Sequence, residues 1–348
     1  MCSRKSIESS SGVFDFHQDM DACLAAFDRN CDGQLDYPEF KELTKALFRD
    51  SSGNSYEVEE TISQNTFDIF DKNSDGQIDR EEFSFCWHKW IKTIVKPMSA
   101  LLIIDVQNDF ICGTLDIRNC SAKQNGEDVI GPINDLLETV DFDAVFYSYD
   151  WHPEDHVSFI DNIHLRKVHE SSPIKAEEAK VFDTVIFDGE RPMSQRLWPR
   201  HCVQNTWGSE LYKDLKVVKD AQKIYKGTNP EIDSYSAFWD NSKLTDTKME
   251  SQLKRRNITD VYVCGIAYDV CVGATALDAI QSGFRTILVD DCCRGVDVSD
   301  IERTKDNVVE NYGVVVSSCQ VADMVKGLDR RPELGYKLAL NLKKSSTS

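Results

Sequence analysis

Five short stretches carry the side chains that can do chemistry. "LLIIDVQNDF" delivers Asp105, and "FYSYDWHPEDHVSF" delivers Asp150, His152 and His156. "WPRHCVQNT" delivers His201, "KIYKGTNPEIDSYSAF" delivers Lys226, and "GIAYDVCVGATALDA" delivers Cys271. A thiol that opens the helical pattern "CVGATALDAIQSG" meets free backbone amides and the positive end of a helix dipole, which can lower its reference pKa of about 8.5 by several units. A neighbouring carboxylate can take its proton, and a lysine can hold that carboxylate ionised. A carboxylate with two imidazoles suits Zn²⁺, Fe²⁺ or Mn²⁺ with coordination positions left open. Phe110, Trp151 and Trp198 can wall a flat aromatic ligand or fill a core. Each residue has a plainer reading in isolation: Asp105 as a turn cap, Lys226 as a surface amine, Cys271 as one thiol of twelve, the histidines as packing. Taken together they read as a cysteine hydrolase of a small amide, with a metal beside the nucleophile.

The elements that must position them alternate. "ALLIIDV", "DAVFYSYD", "AQKIYKG", "DVYVCG", "RTILVDD" and "GVVVSS" are short apolar runs of strand character. Between them "EDVIGPINDLLETV", "KMESQLKRRN", "VCVGATALDAIQSG" and "DIERTKDNVVENY" have helical spacing, with Pro132 limiting the start of the first. Such alternation predicts an α/β domain: a parallel sheet with helices on both faces, whose sites lie at the carboxyl ends of the strands. Asp105, Asp150, Lys226 and Cys271 all follow strand ends.

The first 96 residues are different. They hold 19 acidic and 11 basic side chains, and two twelve-residue segments fit one template. "DRNCDGQLDYPE" spans Asp28 to Glu39 and "DKNSDGQIDREE" spans Asp71 to Glu82. Ca²⁺ takes six to eight oxygens, and such a loop can wrap one ion. The first loop offers Asp28, Asn30, Asp32, the carbonyl of Gln34, Asp36 and bidentate Glu39. The second offers Asp71, Asn73, Asp75, the carbonyl of Gln77, Asp79 and Glu82. Gly33 and Gly76 allow the sharp turn, and Leu35 and Ile78 can pair across a short ribbon. The flanks have helical apolar spacing, so this half resembles a paired EF-hand domain, all-α, with two calcium sites. Its only methionines before the linker are Met1 and Met20, so it lacks the Met-rich groove of target-grasping sensors. The predicted division is an EF-hand pair over 1–96, a hydrolase domain over 97–335 beginning at Pro97, and a polar C-terminal tail over 336–348, of which "KKSSTS" reads as disordered.

Totals exclude other classes. A chain of 348 residues with a formal net charge of −19 repels phosphate backbones and anionic membranes, so neither nucleic acid nor a membrane is an expected partner. No apolar run reaches transmembrane length, and the N-terminus has no secretory core. Twelve irregularly spaced cysteines without such a leader read as thiols of a reducing compartment, cytoplasmic or nuclear, and the sequons at Asn119 and Asn257 as chance.

Residues from about 100 to 320 resemble the nicotinamidases among the isochorismatase-like cysteine hydrolases, through "DVQNDF", "DWHPEDHVSF", "WPRHCVQNT", "YKGTNPEIDSYSAF" and "GIAYDVCVGATALDA" in that order. The fusion to an EF-hand pair is similar to that in some animal nicotinamidases. The resemblance implies a six-stranded parallel sheet and deamidation of nicotinamide to nicotinate and ammonia, in NAD salvage. It implies Asp105, Lys226 and Cys271 as the catalytic set, and Asp150, His152 and His201 as ligands of a transition metal, Zn²⁺ first. It implies a cis peptide at Ile266–Ala267, an oxyanion hole from the amides of Ala267 and Cys271, and Phe110 and Trp198 sandwiching the ring. The stretch 160–197 is long for the family. His156 is a candidate further ligand, at tight spacing from His152, whereas His164 and His169 read as surface residues. The alternatives are another small-amide hydrolase of this fold, or a calcium-binding protein with an inactive hydrolase domain. The sequence does not fix the oligomeric state.

Overall fold

This computed structural model describes residues 14–17, 19–189 and 192–346. They divide into two units: residues up to Met98 together with those from Ala322 onward, and Ser99–Val321. Among the described residues no helix is long and apolar enough to cross a membrane.

In the first unit, helices Met20–Phe27 and Tyr37–Leu47 flank one acidic loop. Helices Glu60–Phe70 and Arg80–Cys86 flank the other, the last running on through a π-helical turn, Trp87–Ile91, into Lys92–Val95. Strands β1 (Leu35–Asp36) and β2 (Gln77–Ile78) join the loops as an antiparallel ribbon, with Leu35 opposite Ile78. Gly33 and Gly76 both sit at φ 87°, a conformation that costs glycine little. Asp36 and Asp79 cap the exit helices, and Glu39 and Glu82 complete capping boxes. The twelfth residue of each loop is therefore also the third residue of the helix that follows. Phe40, Phe70, Phe83, Trp87 and Trp90 fill the core between the helices.

The C-terminal segment corrects the expectation of a polar tail. Residues Pro332–Ser346 form a helix that packs into this first unit, with Ala339 fully buried in its core. The stretch "YKLALNLKK" places Tyr336, Leu338, Leu340 and Leu342 at every second position, a spacing that disguises a helix. The helix is stabilised by what it packs against rather than by its own pattern.

In the second unit the chain runs through β3 (Ser99–Ile104), β4 (Ala144–Asp150), the antiparallel hairpin β5 (Thr184–Phe187) and β6 (Met193–Arg196), then β7 (Gln222–Lys226), β8 (Asp260–Ile266), β9 (Arg285–Arg294) and β10 (Val314–Val316). Six of these make one sheet, ordered β10-β9-β8-β3-β4-β7, parallel throughout. β3 and β8 are buried along their whole length, as central strands covered on both faces must be. The chain steps from β3 to β4 to β7 in one direction and from β8 to β9 to β10 in the other. Right-handed crossovers then place helix Ile130–Thr139 on one face and helices Met249–Arg255, Gly273–Gln281 and Val298–Glu310 on the other. The order reverses between β3 and β8, which opens a crevice beyond their carboxyl ends. The long 160–197 stretch builds the β5–β6 hairpin over its own small core of Val157, Val185, Phe187 and Leu197. Isolated bridges Phe159–Trp198 and His152–Val203 then tie the returning chain beside the segment after β4.

Candidate active site

The site forms in that crevice. Asp105 is the first residue past β3, with its backbone at φ 47°, a left-handed turn that aspartate tolerates better than most residues. Lys226 ends β7, Asp150 ends β4, and Cys271 lies in the π-helical turn Tyr268–Val272 that follows β8. The four are buried together. The Lys226 ammonium stands 2.8 Å from Asp105 Oδ2 and donates to Cys271 Sγ at 3.3 Å and to the Ser234 carbonyl at 2.9 Å. It also pairs closely with Asp150 Oδ1. Asp105 Oδ2 faces that ammonium as an ion pair without a well-aligned hydrogen bond, while Oδ1 accepts from Ser148 Oγ at 2.6 Å.

The charges follow from burial and neighbours. Burial pushes the Asp105 carboxyl up, and Lys226 opposes it. Burial also works against ionising Asp150, but Lys226 and then His152 hold that carboxyl well below the usual range. Lys226 stays charged: burial disfavours its ammonium, yet Asp105, Asp150 and Cys271 more than compensate. Burial pushes the Cys271 thiol well above its ordinary value; Lys226 lowers it, and the two aspartates raise it again. Desolvation of the enclosed sulfur is the largest of these influences and favours the protonated thiol.

Asp150 faces the other way as well. Its Oδ2 lies 3.4 Å from His152 Nε2 and 3.6 Å from His201 Nε2. The opposite ring nitrogens face backbone carbonyls: His152 Nδ1 that of Gly227 at 3.0 Å, and His201 Nδ1 that of Pro199 at 2.7 Å. Donation there fixes both tautomers and leaves the Nε2 lone pairs directed at one point. A side chain at Gly227 would meet the His152 ring at 2.4 Å, so glycine is required for that approach. One carboxylate and two oriented imidazoles, with ligand atoms within 4.8 Å of one another, fit a divalent transition metal with open positions. His156 is not in this trio. It packs on His152 at 4.1 Å between ring centres, with Nδ1 on Ser158 Oγ, and belongs to a separate cluster with His152 and Asp233. His164 is exposed and His169 half-buried.

A small pocket lies over the Cys271 thiol and the His201 imidazole. Phe110, Trp198, Tyr235, Ala267, His201 and Cys271 are among its walls, so the residues named for ring binding and for the oxyanion all face one space. The Ile266–Ala267 peptide is cis. The calcium loops have the same internal geometry in both copies. Glu39 Oε1 accepts from the amides of Arg29 and Asn30, as Glu82 Oε1 does from Lys72 and Asn73; Asp28 accepts from Gly33 as Asp71 does from Gly76.

Residues 99–320 match the isochorismatase domain, and residues 17–85 match the EF-hand domain pair. The chain belongs to the isochorismatase family. Within it, the chain is 35% identical over 204 residues to a nicotinamidase of Escherichia coli, covering 58% of this chain and 85% of the relative. It is 32% identical over 233 residues to a nicotinamidase of Saccharomyces cerevisiae, covering 63% of this chain and 99% of the relative. The solved nicotinamidase pyrazinamidase of Acinetobacter baumanii superposes with a TM-score of 0.54 at 35% identity, over 64% of this chain and 98% of that one.

Sequence reasoning passed over several members of the isochorismatase-fold site. Ser148 was legible as the one small polar residue within "AVFYSYD", two positions before Asp150 and therefore on the same face. Asp109 Oδ2 accepts from the Cys202 amide at 2.7 Å and so ties the turn bearing Phe110 to the loop bearing His201. Gln107 bridges the Asp150 carbonyl and the Ser209 carbonyl, and takes the Asp150 amide in return. Tyr235 carried no sequence signal beyond its aromatic ring.

Proposed function

We propose that this chain hydrolyses nicotinamide to nicotinate and ammonia, and so serves NAD salvage. The observation that carries the reading is the contact of the Cys271 sulfur and Asp105 with one buried ammonium, Lys226, at the floor of an aromatic-walled pocket beside Asp150, His152 and His201. Its relatives named as nicotinamidases support the choice of substrate.

The chemistry runs on this chain's own groups. Asp105 takes the Cys271 proton as the sulfur attacks the carboxamide carbon, and the carbonyl electrons move to oxygen. The backbone amides of Ala267 and Cys271 hold that oxyanion; one such donor is worth about 3–4 kcal/mol of barrier. Asp105 returns the proton to nitrogen as the C–N bond breaks, and ammonia leaves. Water then gives Asp105 a proton as its oxygen attacks the Cys271 thioester, and the departing sulfur recovers that proton. Lys226 keeps Asp105 ionised between steps. Phe110 and Trp198 hold the ring. Asp150, His152 and His201 would bind the transition metal, Zn²⁺ first with Fe²⁺ or Mn²⁺ as alternatives, and it would supply a Lewis acid for a ring nitrogen. The two EF-hand loops would take Ca²⁺. The buried cysteines Cys23, Cys86, Cys120, Cys202, Cys264, Cys271, Cys292 and Cys293 are free thiols, in keeping with a cytoplasmic setting.

The test is release of nicotinate and ammonia by the purified full chain, with pyrazinamide and aliphatic amides as competitors. Cys271→Ala should abolish turnover while circular dichroism stays unchanged, and stopped reactions of the parent should show a nicotinoyl group on Cys271. Turnover by Cys271→Ala, or aliphatic amides hydrolysed as fast as nicotinamide, would reject the assignment.

A further inference from the structure

The helix Pro332–Ser346 lies in the first unit, against elements on both sides of the second calcium loop. It packs on Glu60–Phe70, the helix entering that loop, and on Trp87–Ile91, the turn leaving it. Leu334, Tyr336 and Ala339 are buried, and Leu338, Leu340 and Leu342 pack partly buried against the core. The helix carries Lys337, Lys343 and Lys344 against one acid, Glu333, and the EF-hand segment before it is strongly acidic. A basic amphipathic helix in an apolar groove between EF-hand helices is the way such domains hold target peptides. Here the occupant is part of the same chain.

The seat is specific. Trp90 Nε1 donates to the Gly335 carbonyl at 2.7 Å, and both groups are buried. Trp90 packs against Phe40, Phe48 and Phe70, with ring centres 5.2 to 6.1 Å away. A side chain at Gly335 would meet the Phe48 ring at 2.4 Å, so the helix enters this notch only with glycine there. Asn65 Nδ2 donates to Tyr336 Oη at 3.3 Å, and Tyr56 Oη donates to Asp329 at 2.9 Å just before the helix.

We propose that the EF-hand pair takes the chain's own helix Pro332–Ser346 as its ligand, and that seating of this helix is linked to Ca²⁺ binding at loop 71–82. Glu82, the last ligand of that loop, is the third residue of the helix that runs without a break to Trp90. Ca²⁺ at an EF-hand loop sets the angle between its entering and exiting helices. A helix packed on both therefore fits one angle better than another, and by linkage each event strengthens the other equally. The groove is consequently not on offer to a foreign target, which agrees with its not being rich in methionine. This inference does not depend on the reaction proposed for the second unit.

The experiment is hydrogen exchange with mass spectrometry on the full chain, in Ca²⁺ and after a calcium-selective chelator. Amides of 332–346 should exchange about tenfold faster without Ca²⁺, while those of β3 and β8 are unchanged. Calcium titration of Ala339→Asp, which introduces a charge into the seat, should show affinity weakened at least about fivefold, the lower range of measured couplings. Glu82→Gln should speed exchange at 332–346 even in Ca²⁺. Equal exchange at 332–346 with and without Ca²⁺ in the parent overturns the proposal without any variant, as does an Ala339→Asp chain that binds Ca²⁺ as tightly as the parent.

Discussion

Ser148→Ala offers the sharpest probe of the proton inventory. Ser148 Oγ donates to Asp105 Oδ1 at 2.6 Å and accepts from the Asp105 amide at 3.1 Å, all within a fully buried site. A hydrogen bond to an ionised group is worth about 1.5–3 kcal/mol. At 1.36 kcal/mol per unit, its loss should raise the Asp105 pKa by about one to two units. The sign is fixed because the hydroxyl donates to the charged form, so its removal favours the neutral acid. Asp105 is already raised by burial, with Lys226 opposing. A base must be ionised in the free enzyme, so the acid limb of kcat/KM should move to higher pH by that amount. Well above the new limb, kcat/KM should approach the parent value, and KM should barely change because Ser148 does not line the pocket. The assay is nicotinate formation across a pH series in parent and variant, both loaded with the same metal. Superimposable profiles would refute the reasoning. A uniform loss at every pH without displacement would also refute it, since that would make Ser148 a packing residue only.

Other consequences are as direct. Lys226→Met should be inactive and destabilised by about 3–5 kcal/mol in urea unfolding, because it leaves Asp105 and Asp150 buried without their shared cation. Chelation of the transition metal should raise KM more than it changes the rate at which iodoacetamide alkylates Cys271, since the thiol contacts Lys226 and not the imidazoles. Trp198→Ala should raise KM by removing a wall of the pocket, with kcat falling less, read from steady-state kinetics.

How much of this was legible depended on where the information sits. The central strands β3 and β8 announce themselves because a central parallel strand is apolar on both faces: "ALLII" and "VYVCGI" can be little else. The EF-hand loops are legible because every candidate ligand is local, within twelve residues. The pocket is not local. Asp105, Asp150, Lys226 and Cys271 come from four strand ends, and only the topological rule for such sheets places them together in advance. The hairpin at 184–196 was missed because its strands are four residues each and hide in a polar insertion. The upward push of burial on the Cys271 thiol is not legible because helix position is visible in sequence whereas burial is not. The helix at 332–346 was missed because its alternating pattern has the wrong period, and its partners lie some 240 residues earlier.

The two halves of the pocket meet at a single carboxylate. Asp150 gives Oδ1 to Lys226 and Oδ2 to both imidazoles, so it serves the thiol and the metal set at once. Its charge pushes the Cys271 thiol up, and it competes with Asp105 for the ammonium. Replacing it with Asn removes that charge and leaves Lys226 to the thiol and Asp105 alone. Cys271 should then lose its proton more readily and react faster with iodoacetamide than in the parent at the same pH, even as metal affinity falls. His201→Ala removes a proposed metal ligand without touching the ammonium, so it should weaken metal binding with little change in alkylation rate. The pair of variants separates the two roles that one residue combines. If Asp150→Asn and His201→Ala shift the thiol's reactivity alike, the sulfur responds to the metal and not to Asp150, and the link through Lys226 is wrong.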